Sequence, residues 1–172
     1  MRELNLLNGD CAREGRQQAE RPGEVLVWRE NYLEGALPPE GDPDAFNRVR
    51  AAELHRHFPA KPEAAILAEL RAMHRTLAGL GGGDRLRLWF DCCPFDRTML
   101  ARILALLHGM AERPEIRLVV ADTAWDAAAF RRTWPEKILT EAEIAAGAQS
   151  WREYVQGAAP ETLLDFLYRE AQ

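Results

Sequence analysis

Four short apolar runs, each followed by a stretch of helical period, constrain this chain more than any other feature. Residues 4–7, 24–28, 86–90 and 116–121 are rich in strand-forming side chains and too short to read as helices. Between them lie a polar helical stretch up to about residue 20, a second over 43–58, and a third in which Ile66, Leu70, Met73, Leu77 and Leu80 recur at four and three. A fourth carries Leu100, Ile103, Leu104, Leu107 and Met110. A strand that returns to its sheet through a helix runs parallel to its predecessor, and the crossover is right-handed. The pattern therefore predicts an α/β fold of three layers: a Rossmann-like, four-stranded, mainly parallel sheet in the order 2-1-3-4, with helices on both faces.

Local signals set the boundaries. Asn8-Gly9-Asp10 ends the first strand, with Gly9 making the turn and Asp10 capping the helix, and Pro22-Gly23 turns the chain into the second. Asp42 followed by Pro43 opens a helix that turns Phe46, Val49, Leu54 and Phe58 inward. Asp96 is the expected cap of the helix after strand three. Beyond residue 122 three short helical segments are expected, beginning at Thr140-Glu141-Ala142-Glu143, Ser150-Trp151-Arg152-Glu153 and Pro160-Glu161. The chain of 172 residues, 47% of them apolar, reads as one domain, with 1–122 forming the sheet and 123–172 a helical extension packed on it.

Charge and cysteine content limit the function classes. A net charge of −5, with Lys61 and Lys137 the sole lysines, argues against a nucleic-acid surface. No apolar stretch approaches the roughly 20 residues that span a bilayer, so the expected location is cytoplasmic, away from membranes. Cys11, Cys92 and Cys93 make no disulfide framework and suit a reducing compartment. They read as small buried residues; the order 2-1-3-4 brings Cys11 toward the other two, which leaves a zinc or redox role as the alternative.

In a 2-1-3-4 sheet the direction of travel reverses between strands one and three, and ligands of open α/β sheets bind in the crevice beyond that reversal. The residues delivered there are Asn8, Gly9 and Asp10 from strand one, Arg29 and Glu30 from strand two, and Asp91 from strand three. Backbone amides at Asn8-Gly9-Asp10 suit an anion, and Arg29 suits a bidentate clamp on phosphate or carboxylate, or else an ion pair with Asp10 or Asp91. Asp91 orients polar groups and is the candidate catalytic residue. To hold a metal it needs a second carboxylate from Asp10, Glu30 or Asp122, and no metal set is assigned. The chain has no dinucleotide fingerprint, phosphate loop or nucleophile elbow, and no motif names a cofactor. His55 and His57, two residues apart on a helix, fall on different faces, while His74 and His108 are isolated at the solvent boundary.

Several short motifs in order also resemble a bacterial family of unknown function, the domain numbered 1835. They are Leu7-Asn8-Gly9-Asp10, Val27-Trp28-Arg29-Glu30 with Glu34-Gly35, Leu88-Trp89-Phe90-Asp91 with Phe95-Asp96, Leu139-Thr140-Glu141, and Trp151 followed by Pro160. The resemblance spans most of the chain and implies no reaction. Where many members read Trp-Phe-Glu-His-Asp-Leu-Phe-Asp, this chain has Asp91, Cys92 and Cys93 in place of Glu, His and Asp. Any role of that histidine as base or ligand is altered here.

The leading expectation is a protein that binds a nucleotide or other small anionic metabolite at the ends of strands one to three. A non-catalytic module is the alternative, engaging a protein partner through an acidic surface or through Trp125, Trp134 and Trp151, which are otherwise expected to pack the C-terminal helices onto the sheet. A metal-dependent hydrolase is the third reading.

Overall fold

The computed structural model describes residues 1–39 and 41–170; residues 171–172 of the expected C-terminal extension lie outside them. Its elements are β1 (Glu3–Asn8), α1 (Gly9–Gln18), β2 (Glu24–Trp28), α2 (Pro43–His57), α3 (Glu63–Ala78), β3 (Arg85–Asp91), α4 (Pro94–His108) and β4 (Glu115–Ala121). There follow α5 (Ala127–Arg131), β5 (Lys137–Ile138), α6 (Glu141–Val155), a single 3-10 turn at Pro160–Thr162 and α7 (Asp165–Glu170).

The sheet has five strands in the order β2-β1-β3-β4-β5. The first four pair in parallel as the alternation of strands and helices requires. β5 pairs antiparallel with β4, setting Ile138 opposite Arg117, and corrects the four-strand expectation. Two residues are too few to show a period, and the antiparallel return needs no crossover helix.

Register converts the two-residue period of the strands into two separate cores. Leu26, Leu6, Leu88 and Leu118 lie side by side across the sheet on one face, under α2, α3, α4 and α6. One residue further along, Val27, Leu7, Trp89 and Val119 form the matching row on the other face. There Trp89 meets Trp125 at 5.0 Å between ring centroids, and Trp125 meets Phe130 at 4.8 Å, so α5 and α1 close a smaller, aromatic core. Trp151 is buried in the larger core, 5.1 Å from the Tyr32 ring.

Several expectations about the elements change. Asp42 caps α2 and Phe46 and Leu54 are buried, but Val49 and Phe58 face solvent, Phe58 with 60% of its surface exposed. The segments expected at Thr140 and Ser150 are one helix. Thr140 and Glu143 form the capping box of α6, whereas Ser150 lies within it and donates to the carbonyl of Ala146. A serine bonded four residues back is compatible with an uninterrupted helix. Gly147 is what lets α6 lie against α4, since a β-carbon there would run into Leu104. Pro160 opens the 3-10 turn, and α7 begins at Asp165.

Candidate ligand-binding site

The strand ends converge as the order requires, but they do so through contacts different from those expected. Gly9 turns the chain from β1 into α1 at φ +71°, a conformation that disfavours any side chain, and the space above it is open. Asn8 occupies the cap position of α1, yet its side chain makes no capping bond. It donates instead to the Asp96 carboxylate. The first amides of α1 are therefore left without a side-chain acceptor.

Asp10 does not cap α1 either. Its carboxylate accepts two bonds from Arg29, at 2.8 and 3.0 Å, joining the start of α1 to the end of β2. That fork, more than any other effect, holds the Asp10 carboxyl below the usual carboxylate range and raises Arg29. Of the two expectations for Arg29, the ion pair is the one formed. Both partners remain open to water, 40% and 48% exposed.

Glu30, one residue on, points the other way. Its carboxylate and the Arg50 guanidinium are each 1% exposed and lie 2.8 Å apart. Arg50 spends all five of its N–H donors: on both Glu30 oxygens and on the carbonyls of Asn31, Glu34 and Ala36. Glu30 thus staples the loop after β2 to α2 and is withdrawn as a free ligand contact. Sequence reasoning missed Arg50 entirely, because nothing local separates it from Arg48 and Arg56 on the same helix.

Asp96 is the second correction. It does not cap α4: the cap is the Cys93 sulfur, which accepts from the Asp96 amide at 3.5 Å. The Asp96 side chain is buried and accepts from the Asp91 amide at 2.6 Å as well as from Asn8. Burial, reinforced by the charge of Asp91, pushes its carboxyl up to about 7. Asp91 sits at the mouth, accepting from the Cys93 amide at 2.8 Å. Burial, then the bond to Asp91, pushes the Cys93 thiol up to about 12.

Cys11 and Cys92 are exposed, correcting their reading as buried residues, and only Cys93 is partly covered. Both exposed thiols sit on loop-to-helix junctions, where the apolar packing that favours buried cysteine is absent. His55 and His57 turn to Lys61 and Glu34 respectively, and His74 stacks on Trp28 at 5.2 Å, its imidazole held down to about 4 by burial. Trp125 and Trp151 are core residues, so the aromatic surface expected for a protein partner is not formed by them.

Two clefts flank the start of α1 and share Gly9, Asp10 and Phe95. One, of about 480 Å³, lies toward α5 and is lined by Asp10, Glu14, Asp91 and Asp126, with no lysine or arginine. The other, of about 460 Å³, lies toward α2 and α3. It combines an apolar wall of Trp28, Leu54, Phe58 and Ile66 with two exposed ion pairs, Arg29 with Asp10 and Lys61 with Glu69. Among the described residues no helix is long and apolar enough to cross a membrane. Comparison with known proteins adds no assignment: no family model, curated protein or solved structure matches the chain.

Proposed function

We propose that the protein binds a small phosphorylated metabolite, with a nucleotide the favoured form, in the cleft between α1, α2 and α3 at the ends of β1 and β2. The observation that carries this reading is the conjunction of an uncapped helix start with that cleft. Gly9 and Asp10, at the start of α1, line the cleft with Arg29 and Lys61, and Phe58, a large aromatic left outside the core, lines it too. Helix amides and the guanidinium suit the phosphate; the aromatic and aliphatic wall suits a flat apolar body. Asn8, Gly9 and Asp10 shape the approach, and Asp91 lies across α1 on the acidic side, where it would meet only a ligand long enough to cross. The resemblance to domain family 1835 is part of the same reading and brings no reaction with it.

Calorimetric titration with inorganic phosphate and with a nucleoside monophosphate tests it. The nucleotide is expected to bind more tightly than phosphate, to lose about tenfold or more in Arg29→Ala, consistent with loss of a charge-assisted bidentate contact, and to lose its advantage over phosphate in Phe58→Ala. Absence of binding across a panel of phosphorylated metabolites, or binding indifferent to both substitutions, overturns the proposal.

A further inference from the structure

Across α1 from the proposed phosphate cleft is a cluster that this reading leaves unused. Asp91, Cys93 and Asp96 each offer one ligand atom, and the three atoms lie within 4.8 Å of one another. The nearby guanidinium of Arg97 does not serve them. It is spent on the carbonyls of Cys92 at 2.9 Å and Leu163 at 2.6 Å and on Asp165 at 2.8 Å.

A second observation comes from α7, which Arg97 ties to the start of α4 through Asp165. Tyr168 is only 3% exposed, and its hydroxyl has no hydrogen-bond partner among the described residues. The Arg97 guanidinium lies over the Tyr168 ring at 4.3 Å and bonds the Cys92 carbonyl at 2.9 Å, which sets this buried tyrosine beside the loop that carries the cluster.

We propose that Asp91, Cys93 and Asp96 bind one divalent cation of borderline softness, of the zinc class, with a water molecule in the fourth position facing Tyr168. A thiolate among the ligands selects against magnesium and calcium, which take oxygen, and favours zinc, cobalt or ferrous iron. Ligand atoms around a tetrahedral zinc ion stand about 3.3–3.8 Å apart, as follows from bonds of about 2.0–2.3 Å. On binding, the Cys93 thiol and any protonated Asp96 carboxyl give their protons to solvent, and the sulfur and the carboxylate become metal ligands. The Asp96 amide, already bonded to that sulfur, stabilises the thiolate. The cation reaches the cluster through the acidic cleft that Asp91 lines, whose charge attracts it.

Titration of the full chain with Co²⁺, followed by absorption and calorimetry, tests the assignment. One Co²⁺ per chain is expected, with a thiolate-to-cobalt charge-transfer band that Zn²⁺ abolishes. The band disappears in Cys93→Ser, which keeps a good helix cap. Asp91→Asn weakens binding at least tenfold, and Tyr168→Phe weakens it a few-fold without changing the stoichiometry. No cobalt binding by the native chain overturns the proposal. So does a band that survives in Cys93→Ser, which would place the thiolate at Cys11 or Cys92, or affinity unchanged in Asp91→Asn. Phosphate binding measured in the presence of a chelator is independent of this result, so failure of the metal site leaves the phosphate cleft standing.

Discussion

Arg29 and Glu30 are adjacent residues at the end of one strand, each in an ion pair, and the two pairs belong to different parts of the physics. Arg29 meets Asp10 in water, and Glu30 meets Arg50 with both partners sealed from it. Side chains of successive residues on an extended backbone point to opposite sides, so one residue of register separates the crevice from the core. An exposed pair contributes about 0–1 kcal/mol and can be opened by a competing ion. A buried pair resists opening because either partner left alone is a desolvated charge. Two ionic residues in sequence are therefore one adjustable contact and one fixed one.

The sharpest way to break this comparison is to remove Arg50. Arg50→Met leaves Glu30 buried without its cation and three loop carbonyls without their donor, and a loss of about 3–5 kcal/mol in unfolding free energy is expected by urea denaturation. Converting Glu30 to Leu in the same chain should recover part of that loss, because the stranded charge is then gone. A single substitution that costs less than about 1 kcal/mol would show that the loop opens readily and that Glu30 is within a ligand's reach.

Asp96 extends the comparison to a carboxylate that is buried with no cation at all. The charged and titratable groups facing it are Asp91, Cys93 and Tyr168, with Arg97 turned to other acceptors. Its carboxyl titrates near 7 in the folded chain, above the ordinary 3.8, so the native state holds a proton that the unfolded state has released over that window. The contribution is full below about pH 4 and is lost as pH rises toward 7. In metal-free buffer, thermal stability should fall across that range, by an amount on the order of 2–4 kcal/mol. Asp96→Asn should flatten the slope. A Tm that rises steadily from pH 4 to 7 in the native chain, unaltered by the substitution, would place Asp96 in water.

The same contrast explains how far the sequence alone could be read. Period and strand propensity were enough for β1 to β4 and for the long amphipathic face of α3, because burying a whole row of side chains leaves a repeated mark. Asp96 looked like a cap because aspartate immediately before a helical run usually is one, but α4 already begins at Pro94. Cys93 has that role, and Asp96 instead accepts from Asn8, 88 residues away. Arg50 and Glu30 are 20 residues apart, and no local rule pairs them. Isolated long-range polar contacts carry no period, and the candidate site is made of them. The positions of Asn8, Gly9, Arg29 and Asp91 were legible from the strand order; what each one holds was not.

The smallest effect on stability should carry the most information about function. Asp10→Asn removes a charge whose carboxyl is held low chiefly by Arg29, so its contribution is present above about pH 4 and vanishes as pH falls through its depressed value. The pair is nearly half exposed, and solvent screening keeps the change in unfolding free energy within about 1 kcal/mol. Binding responds differently, because Asp10 both occupies Arg29 and places a negative charge beside the open amides of α1. Asp10→Asn should therefore tighten phosphate binding while Arg29→Ala weakens it, and the double variant should resemble Arg29→Ala. Equal weakening by both single substitutions would mean that the intact ion pair is what the ligand recognises, and Arg29 would then be a fixed contact like Arg50.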